Sequence, residues 1–187
     1  IKSPGDDFGE YSLNKLEIDF INALQIIPGY GIQLRYSQLY PSMIRHLFPD
    51  LITTAGWKSY ALNMLIEEGY GNWEQEYQIL KLKEEISIIA RAIIEINYYS
   101  GDVNRDDAIN ELAKMAFMKR NQAETLLIKS DLHFFSATTT FIGIMEMGSL
   151  LAEYKRTQGD QFELLEFHRL ILKDGVVPFF ELKKKVL

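Results

Sequence analysis

The stretch Trp73–Tyr99, WEQEYQILKLKEEISIIARAIIEINYY, decides the fold. Tyr77, Leu80, Ile86, Ile89, Ile93 and Ile96 recur mostly at intervals of three and four, which predicts one apolar face of a long α-helix. Upstream, Thr53–Glu68 has the same periodicity and is closed by Gly69 and Gly71. Before it, Tyr30–Tyr40 stops at Pro41, and a short turn runs to Phe48-Pro49-Asp50. A first helix is expected over Leu13–Ile27, with Ser12 as N-cap and Leu16, Phe20, Ile21, Leu24 and Ile27 on one face; Pro28-Gly29 ends it.

Downstream, Gly101-Asp102 turns the chain, and Asn104 with Asp107 reads as a capping-box variant opening a helix to Met118. Another helix starts near Asn121, a long one covers Asp131–Thr157, and a further one Phe162–Lys173. Asp174-Gly175 stops the last of these. Pro178 begins a short turn that ends in Lys183, Lys184 and Lys185, cations suited to a solvated helix C-terminus. No segment alternates long enough to demand a strand, and there is no repeat or linker. The expectation is one all-α domain over residues 1–187.

Composition narrows the function. The chain has 187 residues, 47% hydrophobic and 25% charged, which is enough for a real core. With no cysteine, disulfides, thiolate zinc sites and Cys nucleophiles are excluded together. A net charge of −6 argues against nucleic acid as partner. The most apolar stretch, Phe134–Ala152, carries Ser136, Thr138, Thr139, Thr140 and Glu146, so it reads as a buried helix and no membrane span is expected. The chain opens at Ile1 without an initiator Met or leader and reads as a processed product or an excised segment.

The residues alone offer no convincing catalytic set. The histidines His46, His133 and His168 lack the one-turn spacing with which a helix holds zinc. His168 reads as a helix-face or capping residue. The acidic doublets Asp6-Asp7, Glu67-Glu68, Glu84-Glu85 and Asp106-Asp107 suit a solvated face, since helical neighbours diverge by about 100°. Glu146, set among Ile142, Ile144, Met145, Met147 and Leu150, either has a raised pKa and serves as acid or base, or pairs with a Lys or Arg. No Gly-x-Ser-x-Gly elbow occurs, and Gly29-Tyr30-Gly31 lacks the strand and third glycine of a dinucleotide loop.

A resemblance adds what periodicity cannot. Ile27-Pro28-Gly29-Tyr30-Gly31-Ile32-Gln33, followed by Thr53 to Ala61 (TTAGWKSYA), resembles a bacterial family known as domain of unknown function 885. Its members look like helical zinc metallopeptidases, with a pattern H-E-A-x-P-G-H-H-L-Q and then E-G-W-A-L-Y-A-E. Arg91 to Ile109 is similar to the family's R-L-V-V-D-T-G-L-H-x-x-G-W-S-R-E-E-A-I. Gly159 to His168, then Gly175 and Pro178, is similar to G-D-x-F-D-L-x-x-F-H and a closing G-x-x-P. The likeness runs from about Gly9 to the end and implies the C-terminal third or so of a typical member.

The departures fall on the chemistry. The family's His-Glu is Leu24-Gln25 here, its His-His is Tyr30-Gly31, and the Glu before Gly-Trp is Ala55. The Glu that closes that motif is Leu62, and Gly-Leu-His is Asn97-Tyr98-Tyr99. Later family stretches fall on Lys129-Ser130 and on Phe134 to Thr140. Zinc needs nitrogen or oxygen ligands and a carboxylate base, which Leu24 and Ala55 cannot supply; Gln25 cannot take up a proton. Pro28-Gly29, Gln33, Gly56-Trp57, Tyr60, Arg91 and Gly143 survive.

The resemblance therefore implies a metallopeptidase-like scaffold without the family's zinc, and a catalytically silent role in binding or support, with peptide or protein as partner. Gln25, Tyr30, Gln33, Trp57 and Tyr60 are the candidate remnant of a substrate groove, although Trp57 and Tyr60 read equally as helix-packing aromatics. Arg91 is expected to pair with Glu95 one turn on. Two alternatives remain open: a zinc peptidase with relocated ligands (His46, His133 and Glu146), and a plain helical interaction module. Exported relatives suggest the cell envelope.

Overall fold

The computed structural model describes residues 15–40 and 42–186. Ser12 and Pro41, expected to start one helix and stop another, lie outside them, as does the doublet Asp6-Asp7. The helices are α1 (Lys15–Gln25), α2 (Tyr30–Leu39), α3 (Met43–Leu47), α4 (Leu51–Glu67), α5 (Gln75–Tyr99), α6 (Arg105–Met115), α7 (Arg120–Leu132), α8 (Ser136–Gln158), α9 (Leu164–Leu172) and α10 (Phe179–Val186), with a 3-10 turn at Gly159–Gln161. No strand occurs among the described residues, as the periodicity predicts.

Several boundaries follow from caps. Asp50 opens α4 by accepting from the Thr53 backbone N–H at 2.7 Å. Asn104 opens α6 by accepting from the Asp107 N–H at 3.0 Å, while the Asp107 carboxylate takes the Asn104 side-chain amide. Three expectations need correction. The turn before Phe48 is the short helix α3, capped by Ser42. The helix expected from Asp131 begins at Ser136, because the chain breaks at His133 and Phe135, the latter with φ 55°. The segment after Pro178 is the eight-residue helix α10. Its three lysines are not simply solvated: Lys183 pairs with Glu146, Lys184 with Glu181 and Lys185 with Asp174.

α4 and α8 form the centre. They cross at Gly56 and Gly143, where a Cβ on Gly56 would lie 2.4 Å from the Gly143 carbonyl oxygen and one on Gly143 2.4 Å from that of Ile52. Only glycine on both helices permits backbones this close. Around the crossing, Trp57 and Ala61 of α4 pack with Met147, Leu150 and Tyr154 of α8, Phe167 and Ile171 of α9, and Leu182 of α10. A second core joins Ala90 and Ile94 of α5 to α6 and α7 through Ala108, Leu112, Ala123 and Leu127. A third places Phe20 and Ala23 of α1 against Leu62 and Ile66 of α4 and Tyr77 of α5.

The buried faces of α1 and α5 differ from those expected. In α1, Phe20 and Ala23 face inward, whereas Ile21 and Ile27 are exposed. In α5, Tyr77, Ile88, Ala90, Ala92, Ile94 and Glu95 are buried, while Ile86, Ile89, Ile93 and Ile96 face outward. From Ile86 to Ile96 only Ser87, Arg91 and Glu95 are polar, and helical stretches apolar on most sides normally have neighbours on every side.

Glu95, 1% exposed, fastens α5 to α8. Its carboxylate accepts from Ser130 Oγ (2.7 Å), Ala137 N (3.1 Å), Thr138 N (2.9 Å) and Thr138 Oγ1 (3.0 Å). A negative charge at this point satisfies the free N–H groups and the positive pole of α8. Glu95 is thus not the partner of Arg91, whose guanidinium instead donates to Ser136 Oγ at 3.4 Å.

Candidate functional site

Ala55, Lys58, Ser59 and Leu62 stand at i, i+3, i+4 and i+7 and share one face of α4, opposite its aromatic core side. With Leu24 of α1, Arg91 and Ile88 of α5, and Thr140 and Ile144 of α8, they line a cavity of about 180 Å³. A second cavity, of about 450 Å³, shares Ala55 and Lys58 and continues to His133, Phe134, Ser136 and Thr139. Together they form a cleft over α4.

Polar groups stand at both ends of the cleft. At one end Asn63 donates to Glu85 at 3.0 Å, with Glu84 alongside, and Lys81 pairs with Glu67 at 2.9 Å. At the other stand Lys58 and Arg91. Burial lowers the Lys58 ammonium below the ordinary lysine range, and the ammonium stands 6.0 Å from the centre of the Tyr30 ring. Arg91 Nε is buried without a hydrogen-bond partner.

The residues singled out from sequence are distributed as follows. Leu24 and Ala55, where the likeness to the family's motifs puts a His and a Glu, meet in the wall of the smaller cavity although 31 positions apart. Gln25 is exposed at the end of α1. Tyr30 is 37% exposed and lines a separate cavity with Leu34, Ser37 and His46. Gln33 is buried, and its Oε1 has no partner.

Trp57 and Tyr60 point to the core side of α4. Trp57, 2% exposed, donates from Nε1 to the carbonyls of Pro28 and Gly29, each at 3.1 Å, and so ties the Pro-Gly turn to the Gly-Trp helix. The Tyr60 hydroxyl lies 2.7 Å from His168 Nε2. Burial pushes the tyrosine well above its ordinary range and the histidine below its own, so both stay neutral and the contact is a hydrogen bond between hydroxyl and imidazole.

His46, His133 and Glu146 do not converge. His46 donates to the Ser37 carbonyl, His133 caps α7 beside the larger cavity, and Glu146 binds Lys183 at 2.7 Å. Among the described residues no group of three or more His, Asp or Glu side chains is placed to hold a metal ion. The residues at the cleft do not fit zinc, since the two hydrocarbon side chains Leu24 and Ala55 offer it no donor. Sequence reading missed Lys58, Ser59 and Thr140 as lining residues. The i, i+3, i+4, i+7 spacing puts Lys58 and Ser59 on one face of α4, but that α1, α5 and α8 enclose this face is not written in any local pattern.

Comparison with known proteins places the chain in a family. Residues 8–186 match the model of the family described as bacterial protein of unknown function DUF885, and the chain belongs to it. A candidate lipoprotein of unknown function from Shewanella oneidensis is 30% identical and superposes with a TM-score of 0.83, covering 91% of this chain and 31% of that one. A candidate lipoprotein from Colwellia psychrerythraea, 21% identical, shares the fold with a TM-score of 0.85 over 92% of this chain and 30% of its own. The chain thus spans about three-tenths of the length of these two proteins. No curated protein sequence gives a significant match. Among the described residues no single helix is long and apolar enough to cross a membrane.

Proposed function

We propose that this chain is a non-catalytic, metallopeptidase-like helical domain of a longer envelope protein, whose cleft over α4 binds a peptide or protein segment. One observation carries the reading. Leu24 and Ala55, which stand where the resembling motifs have a metal-binding His and a Glu, line the same concave site while the framework around them is kept. A cleft that retains its walls can still hold a chain through pocket contacts and main-chain hydrogen bonds, neither of which needs a metal. The lipoprotein description of the Shewanella and Colwellia proteins supports the envelope location. The test is incubation of the purified chain with zinc and a mixed peptide pool. Peptide retention without hydrolysis is expected, and hydrolysis abolished by a chelator would overturn the reading.

A second reading, a helical interaction module, rests on α5. Ile79, Leu82, Ile86, Ile89, Ile93 and Ile96 are 39–63% exposed and alternate at intervals of three and four, the pattern of a coiled-coil seam. Its occupant would be an apolar-faced helix from the seven-tenths of the relatives' length that this chain does not span. Mixing the chain with that helix as a peptide should protect the α5 amides from hydrogen exchange.

A further inference from the structure

We infer that the basic end of the cleft is a carboxylate site, in which Lys58 and Arg91 hold the terminal carboxylate of a peptide whose last side chain is apolar. The inference rests on the proposed binding role and names its ligand chemistry. Four observations carry it.

First, Lys58 and Arg91 line one cavity, and neither has a carboxylate within ion-pair distance among the described residues. Two such cations in a concavity of an acidic protein, net charge −6, are unusual because buried or half-buried charge normally finds a partner. Second, an N–H donor of Arg91 is buried and unmatched, although nearly all buried donors are paired. The guanidinium, whose Nη2 also donates to Ser136 Oγ at 3.4 Å, keeps its Nε–H for a carboxylate oxygen.

Third, the carboxylates lining the cavity stand away from this end, and the nearer Glu95 is turned to the start of α8, reaching Arg91 only through Ser136 Oγ at 3.4 Å on each side. Glu85 and Glu84 lie six and seven residues before Arg91, about 9–10 Å along α5 at 1.5 Å per residue. Glu85 is already engaged with Asn63. Fourth, the wall beside the two cations is apolar, made by Leu24, Leu62, Ile88 and Ile144, and its cavity of about 180 Å³ accommodates a single side chain of leucine size. The combination of a charged clamp and an adjoining apolar pocket selects an acid with a hydrocarbon neighbour over a bare inorganic anion.

The experiment is a titration of the chain with N-acetyl-leucine, N-acetyl-leucinamide and inorganic phosphate, followed by backbone amide shifts in α4 and α5. The acid should bind at least about tenfold more tightly than the amide, the usual scale of a charge-assisted contact. Lys58→Met and Arg91→Met should each remove that preference, Lys58→Arg should retain it, and thermal melts check that every variant is folded. Equal binding of acid and amide, unaffected by the substitutions, would overturn the carboxylate site and leave a peptide cleft standing. Phosphate binding more tightly than the acid would overturn it in favour of a general anion site. No binding of any of the three would also overturn it; the mixed peptide pool then decides separately whether the cleft binds peptides at all.

Discussion

The two faces of α4 are built from the same seventeen-residue helix and have opposite characters. Trp57 and Ala61 are almost completely buried, with half-buried Tyr60 beside them, and every polar atom named on Trp57 and Tyr60 is matched: indole to the Pro28-Gly29 turn, hydroxyl to His168. On the other face Ala55, Lys58, Ser59 and Leu62 line an open cleft, and the Lys58 charge is unmatched. The first face is a completed piece of core. The second is a surface with spare hydrogen-bonding and charge capacity, the condition for binding something else. On α4 the residues therefore divide by face: Trp57 and Tyr60 hold the scaffold, and Ala55 opens onto the cleft.

This contrast can be broken by substitution, and the largest effect is expected on the core face. Trp57→Ala removes a fully buried indole and the link to the Pro28-Gly29 turn, so denaturant unfolding should show a loss of about 3–5 kcal/mol. Gly143→Ala drives a methyl group into the Ile52 carbonyl and separates α4 from α8. It should cost about 1–3 kcal/mol in the same measurement and perturb amide shifts on both faces of α4.

A smaller and pH-dependent effect belongs to the Tyr60–His168 contact. Burial lowers the His168 pKa below the ordinary histidine value, so below that value the unfolded chain takes up the proton more readily than the folded one. The stabilising contribution is full above pH about 6.5 and is lost as pH falls through the folded value. The melting temperature of the wild-type chain should drop as pH is lowered from 7 to 5, and His168→Phe should flatten that drop. Smallest of all is Lys58→Met, which should change stability by no more than about 0.5 kcal/mol while abolishing carboxylate preference in the cleft. A large loss of stability instead would make Lys58 part of the scaffold and erase the distinction between the faces.

Much of the fold was legible because helix boundaries are local. Asn104 caps where it was expected to, Pro28-Gly29 and the glycines after Glu68 stop their helices, and Asp50, read as the end of a turn, proves to be the cap of a helix that starts at Leu51. What could not be read was which face of a helix is buried. In α5 isoleucine or leucine occupies the outward positions 79, 82, 86, 89, 93 and 96 more regularly than the inward ones, so periodicity alone chooses the exposed side. The small residues Ala90 and Ala92 and the buried acid Glu95 mark the packed side, and they gain meaning only beside α6, α7 and α8.

The same reason hid the cleft. Arg91 was read against its own helix, one turn from Glu95, but Glu95 is taken by the start of α8 and Arg91 is left facing the cavity. Lys58 sits inside a motif read for its aromatic residues. Its importance depends on α1 and α5 arriving opposite it, which no local pattern encodes.

The measurement that bears most directly on the central claim is the zinc content of the purified chain after equilibration with the metal and gel filtration, read by mass spectrometry. The proposed reading, in which Leu24 and Ala55 stand where the resembling motifs have a His and a Glu, predicts a stoichiometry near zero. A stoichiometry near one zinc per chain would contradict it and turn attention to His46, His133, His168 and Glu146 as ligands.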